Sequence, residues 1–448
     1  MWLLWPCTSD RISVRCRAVL PRTAPAWLDR LVTWLEPFEP CFGHVAQRGA
    51  FRRYLLGLLS DSPRKSMSAM LARIHDAGSY QAFQHVITHA PWDVAPVWRR
   101  LLSRIPDRRG VLILDDTGFP KQGTASVGVQ RQYSGTLGKI GNCQIAVTAA
   151  LWTGVRTWLL GAELYLPQPW LTRERRQQTH IPARVRFQEK WRLALTLVDR
   201  ARRGGIDIDL VTADAGYGDI LDFRSGLEQR QLAYVLGISG QFAVWVGRPP
   251  ADLAPATRAV AAATVGALQV ATWAAQHPAR AWRRVSWRNG PRRAWHARFL
   301  AVRVTPVVLW RQHRPLQTHW LLCERPSGRS AAPMKWYISN LPPTTRLRTL
   351  VRAAHQRWAI EQQYQQLKTE LGFDHFEGRS FLGWHRHVVL TALAYTWLQQ
   401  ERRRVLTRAP TLPVVRAVIQ EILTAHFLIT TPGYLERMLK LREIQLRI

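Results

Sequence analysis

Acidic residues are scarce in this 448-residue chain: 30 Asp plus Glu stand against 63 Lys plus Arg, a formal net charge of +33. A self-repelling surface of that kind excludes an acidic partner-free globule and points to a polyanion, with nucleic acid first among candidates. Cysteine is scarce too. Cys7, Cys16, Cys41, Cys143 and Cys323 form an odd set with no C-x-x-C pair, which excludes a disulfide framework and a thiol-rich zinc site and suits a reducing cytoplasm. The apolar start, Met1 to Pro6, is short, and Asp10, Arg11 and Arg15 follow too soon for a signal peptide or membrane span. No targeting segment and no membrane partner are expected. Internal repeats and low-complexity tracts are missing, as is an H-x3-H pattern with a helper carboxylate. His375, His385 and His387 are therefore expected to be solvated or to touch phosphate, not to bind a transition metal.

Aromatics, by contrast, are plentiful: 21 Trp and 13 Phe exclude a small ribosomal or chromatin-like basic protein and indicate a folded core with stacking surfaces. The length predicts two to four structural units. From Trp27 to about Arg104 the apolar spacing is helical (Leu28, Leu31, Val32, Leu35; Tyr54, Leu55, Leu58, Leu59). Residues 1–105 thus read as an all-α N-terminal domain, whose Arg52, Arg53, Arg64, Lys65 and Arg73 suit phosphate contacts or simply a solvated face.

After the turn signal at 106–110, Val111-Leu112-Ile113-Leu114 reads as a buried strand with Asp115 and Asp116 at its exit. Cys143 to Leu151 and Thr157 to Leu166 extend it to an antiparallel meander. A basic helix, Ala183 to Arg203, precedes a strand, Ile208 to Thr212, that delivers Asp214 to the loop Ala215-Gly216-Tyr217-Gly218. A helix, Ile220 to Gln229, and a strand, Ala233 to Ile238, follow, so 106–240 carry α/β logic. Residues 241–343 shift to Pro, Ala and Arg, with strand-like runs at Ala297–Val304, Thr318–Cys323 and Lys335–Ser339, and read as an inserted β-rich subdomain. Long helices from Thr345 to Leu371 and from Trp384 to about Arg404 place the rest of the core at 344–405, and a helical tail occupies 406–448.

Carboxylates at strand ends are natural sites for hard cations, and cutting or joining DNA benefits from two such ions. Asp116 and Asp214 qualify, although a turn at Asp115-Asp116-Thr117-Gly118 and a helix cap at Asp214 are equally ordinary uses of these residues. Arg357, Glu361 and Lys368 lie at i, i+4 and i+11, one narrow stripe of a helix beside the apolar stripe of Ile360, Tyr364, Leu367 and Leu371. A carboxylate flanked by two cations suits phosphate chemistry; a plain Arg–Glu surface pair is the alternative.

Arg357-Trp358-Ala359-Ile360-Glu361 with Lys368 resembles the Y-x2-R-x3-E-x6-K signature of bacterial insertion-sequence transposases of the DDE superfamily. The R, E and K spacings match, whereas Ala354 stands at the signature's Tyr, with His355 and Tyr364 as substitutes. Asp116-Thr117 and Asp214-Ala215-Gly216 resemble the family's two Asp motifs, and further similarity runs through Tyr54–Leu59, Asp115–Gly123, Gln132-Tyr133, Val211–Gly218 and Phe373–Ser380.

The resemblance implies an α/β fold: an RNase H-like mixed-sheet core with an inserted β-rich subdomain and an all-α N-terminal domain. It implies Asp116, Asp214 and Glu361 as catalytic residues and ligands of two Mg²⁺ ions, with Mn²⁺ as substitute. Asp115 is held in reserve, because neighbours on a strand point to opposite faces. Arg357 and Lys368 would hold phosphate, and Trp358 would either stack on a splayed base or lie in the core, the latter being preferred. The expected partners are double-stranded DNA, at terminal inverted repeats and at a target, and a second copy of the chain in a synaptic complex. The expected compartment is the bacterial cytoplasm, at the nucleoid. Two other functions stand beside cut-and-paste transposition: a decayed copy that binds DNA without cutting, and an RNase H-like nuclease without strand transfer.

Overall fold

A computed structural model describes residues 24–74, 79–247, 249, 266–289, 294–326, 333–404 and 410–446. The chain divides into two compact units, one made of 1–86 and 397–448 and the other of 87–396. Cys7, Cys16 and the apolar chain start lie outside the described residues.

Among the described residues helices come first: α1 (Ala24–Leu35), α2 (Val45–Leu59), α3 (Met67–Leu71), α4 (Tyr80–Thr88) and α5 (Val94–Arg104). The sheet-bearing part follows with β1 (Arg109–Pro120), β2 (Gln130–Ser134), β3 (Lys139–Trp152), β4 (Thr157–Leu164), α6 (Arg173–Thr179), α7 (Lys190–Arg203), β5 (Asp207–Ala213), α8 (Ala215–Gly218), α9 (Leu221–Gln229) and β6 (Tyr234–Ile238). Then come β7 (Ala243–Val246), β8 (Leu268–Gln269), α10 (Val270–Ala275), β9 (Arg283–Asn289), β10 (Ala294–Pro306), α11 (Val307–Arg311), β11 (His319–Arg325) and β12 (Lys335–Ser339). The chain closes with α12 (Leu347–Ala354), α13 (Trp358–Leu371), α14 (Phe381–Arg404), α15 (Leu412–Thr430) and α16 (Tyr434–Leu446).

In the first unit, aromatic side chains of the early helices pack in pairs. Phe42 stacks on Phe51 at 4.5 Å and Tyr54 on Phe83 at 5.1 Å between ring centroids. Such pairs add to the area term of burial. Among the described residues, α15 is long and apolar enough to cross a membrane by length and composition alone. Its Ile419, Leu423 and Phe427 are nevertheless buried, and the Gln420 amide donates to the Ser60 carbonyl at 2.7 Å.

In the second unit, β1 pairs antiparallel with β3 and parallel with β5, β3 pairs with β4, and β5 pairs parallel with β6. The spatial order β4-β3-β1-β5-β6 is a mixed α/β sheet of RNase H-like topology, as the sequence implied. The inserted strands do not close a sheet of their own. β12 pairs antiparallel with β6, and β11, β10, β7 and β8 continue outward, so twelve strands form one sheet. The free edge of β6 explains this, since its unpaired N–H and C=O groups are a template for another strand.

β1 sorts its side chains onto two faces. Leu112 and Leu114 enter the core beneath α7, with Ala194, Leu197, Val198 and Ala201. Val111 and Ile113 enter the core beneath α12 and α13, with Leu350, Val351 and Ile360. Each large aliphatic side chain buried here contributes roughly 1.5–3 kcal/mol, and a charge at Val198, which is fully buried, would detach α7. Three expectations need correction. β1 runs on to Pro120, because pairing with β3 continues through Pro120↔Cys143, so Asp115 and Asp116 sit within the strand and not at its exit. The basic segment from Ala183 is helical only from Lys190; Arg176 holds the preceding loop open by donating to the carbonyls of Leu171, Pro182 and Val185. The helix expected over 345–371 is broken by a 3₁₀ turn, His355–Arg357, where the His355 ring stacks on Trp287 at 3.7 Å and its Nε2 lies 3.4 Å from Glu324.

Candidate active site

The β1–β5 register pairs Ile113 with Thr212, so two residues further along, Asp115 and Asp214 arrive at one level of the sheet. Asp214 then caps the short helix α8, its Oδ1 accepting the Gly216 N–H at 3.0 Å. Gly218 is required here: a methyl group at that position would collide with the Gly237 carbonyl of β6. The close approach seats the loop, and with it Asp214, against the strand end.

A cleft of roughly 520 Å³ opens at these strand ends. Asp115, Asp116, Asp214, Arg357, Glu361, Lys190, Lys368, Tyr133 and Tyr364 are among its lining residues. The alternation of β1 divides the two aspartates. Asp116 turns toward α7, where Lys190 Nζ lies 2.6 Å from Oδ2 and the Tyr217 hydroxyl donates to Oδ1. Asp115 turns toward α13, where Arg357 pairs with it at 2.9 Å. The two residues do point to opposite faces, yet both reach the one cleft because it straddles β1 just past the last β1–β5 pair, Ile113↔Thr212.

Arg357 also donates to Glu361 at 3.1 Å, so one guanidinium joins the reserve aspartate to the helix carboxylate. Burial pushes the Asp115 carboxyl up to about 7, Asp214 and Asp116 add to the rise, and Arg357 opposes it. Asp214 is raised for the same first reason, with Arg357 opposing and Asp116 adding. Burial disfavours the charge of Arg357, but Asp115, Asp214 and Glu361 hold it above its ordinary value. Lys368, lowered by burial, donates to the Gly118 carbonyl at 2.8 Å and to the Thr136 hydroxyl at 3.0 Å.

Several residues took other places than expected. Trp358 is 47% exposed, because it opens α13 just after the 3₁₀ turn, so it is not a core side chain, and it does not line the cleft. Ala354 is buried in the core beneath α12. Of its two substitutes, His355 is tied to Trp287 and Glu324, whereas Tyr364 lines the cleft and its hydroxyl meets that of Thr148 at 2.5 Å. His385 and His387 are buried and not solvated, since α14 runs through the core; burial lowers the His387 imidazole to about 4, and its Nε2 lies 3.0 Å from the Gly372 carbonyl. His375 remains partly exposed.

Lys190 and Tyr217 were not read as site residues from the sequence. A signal existed for the first: only seven of the 63 basic residues are lysines, and two of them, Lys190 and Lys368, line the cleft. Tyr217 lies inside the quoted Gly-rich loop, but its reach to Asp116 depends on how α8 packs.

The donor set suits a hard divalent cation, being carboxylate oxygens with no softer ligand. Among the described residues, no three His, Cys, Asp or Glu side chains stand together as a ready ligand group; Lys190 and Arg357 engage Asp116 and Glu361. Burial raises the Asp214 carboxyl, with Arg357 opposing, and a cation in the cleft would ease the cost of its charge.

An acid-lined, cation-rimmed cleft on a mixed sheet of RNase H-like topology places the chain among nuclease-type enzymes. The sequence pattern of the family described as DDE superfamily endonuclease matches residues 37–294, more than half of the chain, and the chain belongs to that family. It is also 30% identical over 226 residues to a probable transposase for insertion sequence element IS701 from Microchaete diplosiphon. That match covers 49% of this chain and 56% of the relative, so the chain spans little more than half the length of the relative it matches.

Proposed function

We propose that this protein is a cut-and-paste DNA transposase, which cleaves at the ends of an insertion sequence and joins the freed ends to target DNA. The observation that carries this reading is the shared cleft: Asp116, Asp214 and Glu361 come from β1, the β5 end and α13 and line one cavity with Arg357 and Lys368. In this reading those three carboxylates are the catalytic residues and would hold two divalent cations, Mg²⁺ or in its place Mn²⁺. When bound, the ions stabilise the attacking and leaving oxygens of an in-line displacement.

The chain's own side chains prepare that site. Tyr217 and Lys190 fix the rotamer of Asp116, and the Gly216 N–H fixes Asp214. Arg357, which rests on Asp115 and Glu361, and Lys368, which rests on Gly118 and Thr136, are the planar fork and the point charge that would turn to the phosphates of a DNA strand crossing the cleft. Trp358, exposed at the start of α13, is the candidate for stacking on a displaced base. The partners are double-stranded DNA, as terminal inverted repeats and as target, and a second copy of the chain that holds the other end; the compartment is the cytoplasm, at the nucleoid.

The test is incubation of end-labelled DNA, carrying the ends of the element that encodes the chain, with a circular target and Mg²⁺. Cleavage at the ends followed by joined products, both abolished by EDTA, is expected. Cleavage without joining would make the protein a nuclease, and binding without either would make it a decayed DNA-binding copy.

A further inference from the structure

Outside the cleft, one surface combines charge, rigidity and a direct path to the site. The segment from Trp170 to Arg192 carries Arg173, Arg175, Arg176, Arg184, Arg186, Lys190 and Arg192 against Glu174 and Glu189. Its middle, between the end of α6 at Thr179 and the start of α7 at Lys190, is not helical, yet it is firmly built. The half-buried Arg176 donates to three backbone carbonyls at 2.8 to 2.9 Å, and His180 takes a left-handed conformation, φ 53°, that ends α6.

Arg176 thereby spends its guanidinium on the loop, while its neighbours face solvent. Arg173, Arg184 and Arg186 are exposed, and none of the three has a carboxylate partner among the described residues; Arg186 rests on the Ala183 carbonyl. The segment ends in Lys190, whose Nζ lies over the Tyr165 ring at 5.6 Å and pairs with Asp116 inside the cleft. Exposed guanidiniums with no carboxylate partner, on a backbone fixed in advance, bind phosphate at little ordering cost.

We propose that the α6–α7 segment is a phosphate-binding ribbon that leads the backbone of duplex DNA to the cleft, with Arg173, Arg184 and Arg186 as its contacts. Charge complementarity and continuity with the cleft through Lys190 select DNA as the occupant, and the assignment rests on the reading of this protein as a DNA-processing enzyme. These are positioning contacts that carry no sequence information.

The experiment measures binding of a short duplex of arbitrary sequence across a salt series without divalent metal. It compares wild type, Arg184→Gln/Arg186→Gln, Arg184→Lys/Arg186→Lys and a matched control, Arg202→Gln/Arg203→Gln. The control pair is exposed at the far end of α7, about 20 Å from Lys190 at 1.5 Å per residue. Loss of two phosphate contacts should lower the slope of log K against log salt by about 1.8 and weaken binding on the order of tenfold or more at 0.1 M salt. The lysine pair should retain the wild-type slope, and the control should match wild type. Equal losses in the ribbon and control variants would reduce the effect to net charge and overturn the ribbon, as would wild-type binding by the ribbon glutamine variant. A wild-type protein with no salt-dependent DNA binding would instead remove the DNA-processing reading itself.

Discussion

Replacement of Asp214 by Asn separates two roles that this residue combines. The side chain caps α8 through Gly216 N–H, and it is a carboxylate whose pKa burial raises, with Arg357 opposing and Asp116 adding. Asn caps a helix about as well as Asp but carries no charge. A buried, charged carboxyl costs about 1–3 kcal/mol or more in lost hydration, and Arg357 and Lys190 offset part of it, so a net gain of about 1 kcal/mol is expected for Asp214→Asn without metal. At about 2.1 cal/mol/K per residue for the unit spanning 87–396, that gain is a rise in Tm of about 1.5 °C. Ala at the same position removes the cap as well, and should fall about 1 kcal/mol below Asn.

Divalent metal should reverse the order. At a Mg²⁺ concentration tenfold above its Kd, binding stabilises the wild type by about 1.4 kcal/mol, or about 2 °C, whereas Asp214→Asn should gain little. The sign in pH follows: a carboxyl raised in the folded state is destabilising when ionised, so the advantage of Asn is present at neutral pH and shrinks as pH falls toward the unfolded-state value of 3.8. Thermal melts of both proteins, with and without Mg²⁺, check this. A variant that is less stable than wild type in metal-free buffer, or that gains as much from Mg²⁺ as wild type does, would falsify the reasoning.

Three further outcomes are expected. Asp116→Asn and Glu361→Gln should abolish Mg²⁺-dependent cleavage while duplex affinity stays within about threefold, because neither removes a surface cation; gel-shift and cleavage assays on the same preparations decide, and retained cleavage takes that residue out of the site. Arg357→Ala should depress cleavage more than affinity and should also destabilise the fold by about 1.5–3 kcal/mol through the lost charged hydrogen bond to buried Asp115, with Arg357→Lys intermediate in both; equal stability of Ala and wild type in urea melts would contradict the pairing. His387 is neutral and buried with its pKa near 4 against 6.5 for the ordinary imidazole, so the stability it contributes is fully present above 6.5 and is lost as pH falls from 6.5 to about 4, by about 3 kcal/mol. His387→Gln should flatten that limb of the stability profile, and an unchanged limb in melts from pH 7 to 4 would reassign the acid sensitivity.

The sequence by itself determined the elements whose signals are local. Val111 to Leu114, after a turn signal, fitted a buried strand, the 3.6-residue spacing put Arg357, Glu361 and Lys368 on one stripe, and the charge of +33 pointed to a polyanionic partner. The strand order β4-β3-β1-β5-β6 also follows from a local grammar, in which a meander and then parallel crossovers leave few topologies. Tertiary structure alone decided what depends on neighbours distant in the chain. Whether the inserted strands stood apart or extended the sheet was set by the free edge of β6, which no residue of β12 announces. The break at His355 exists because Trp287 and Glu324, both brought in by the insertion, hold that ring in place. That Asp115 and Asp116 share one cleft, one held by Arg357 from the turn before α13 and the other by Lys190 from α7, required both faces of the sheet to be covered first. Periodicity fixes which way a side chain points along its own element; what it meets there is chosen by packing across the whole chain.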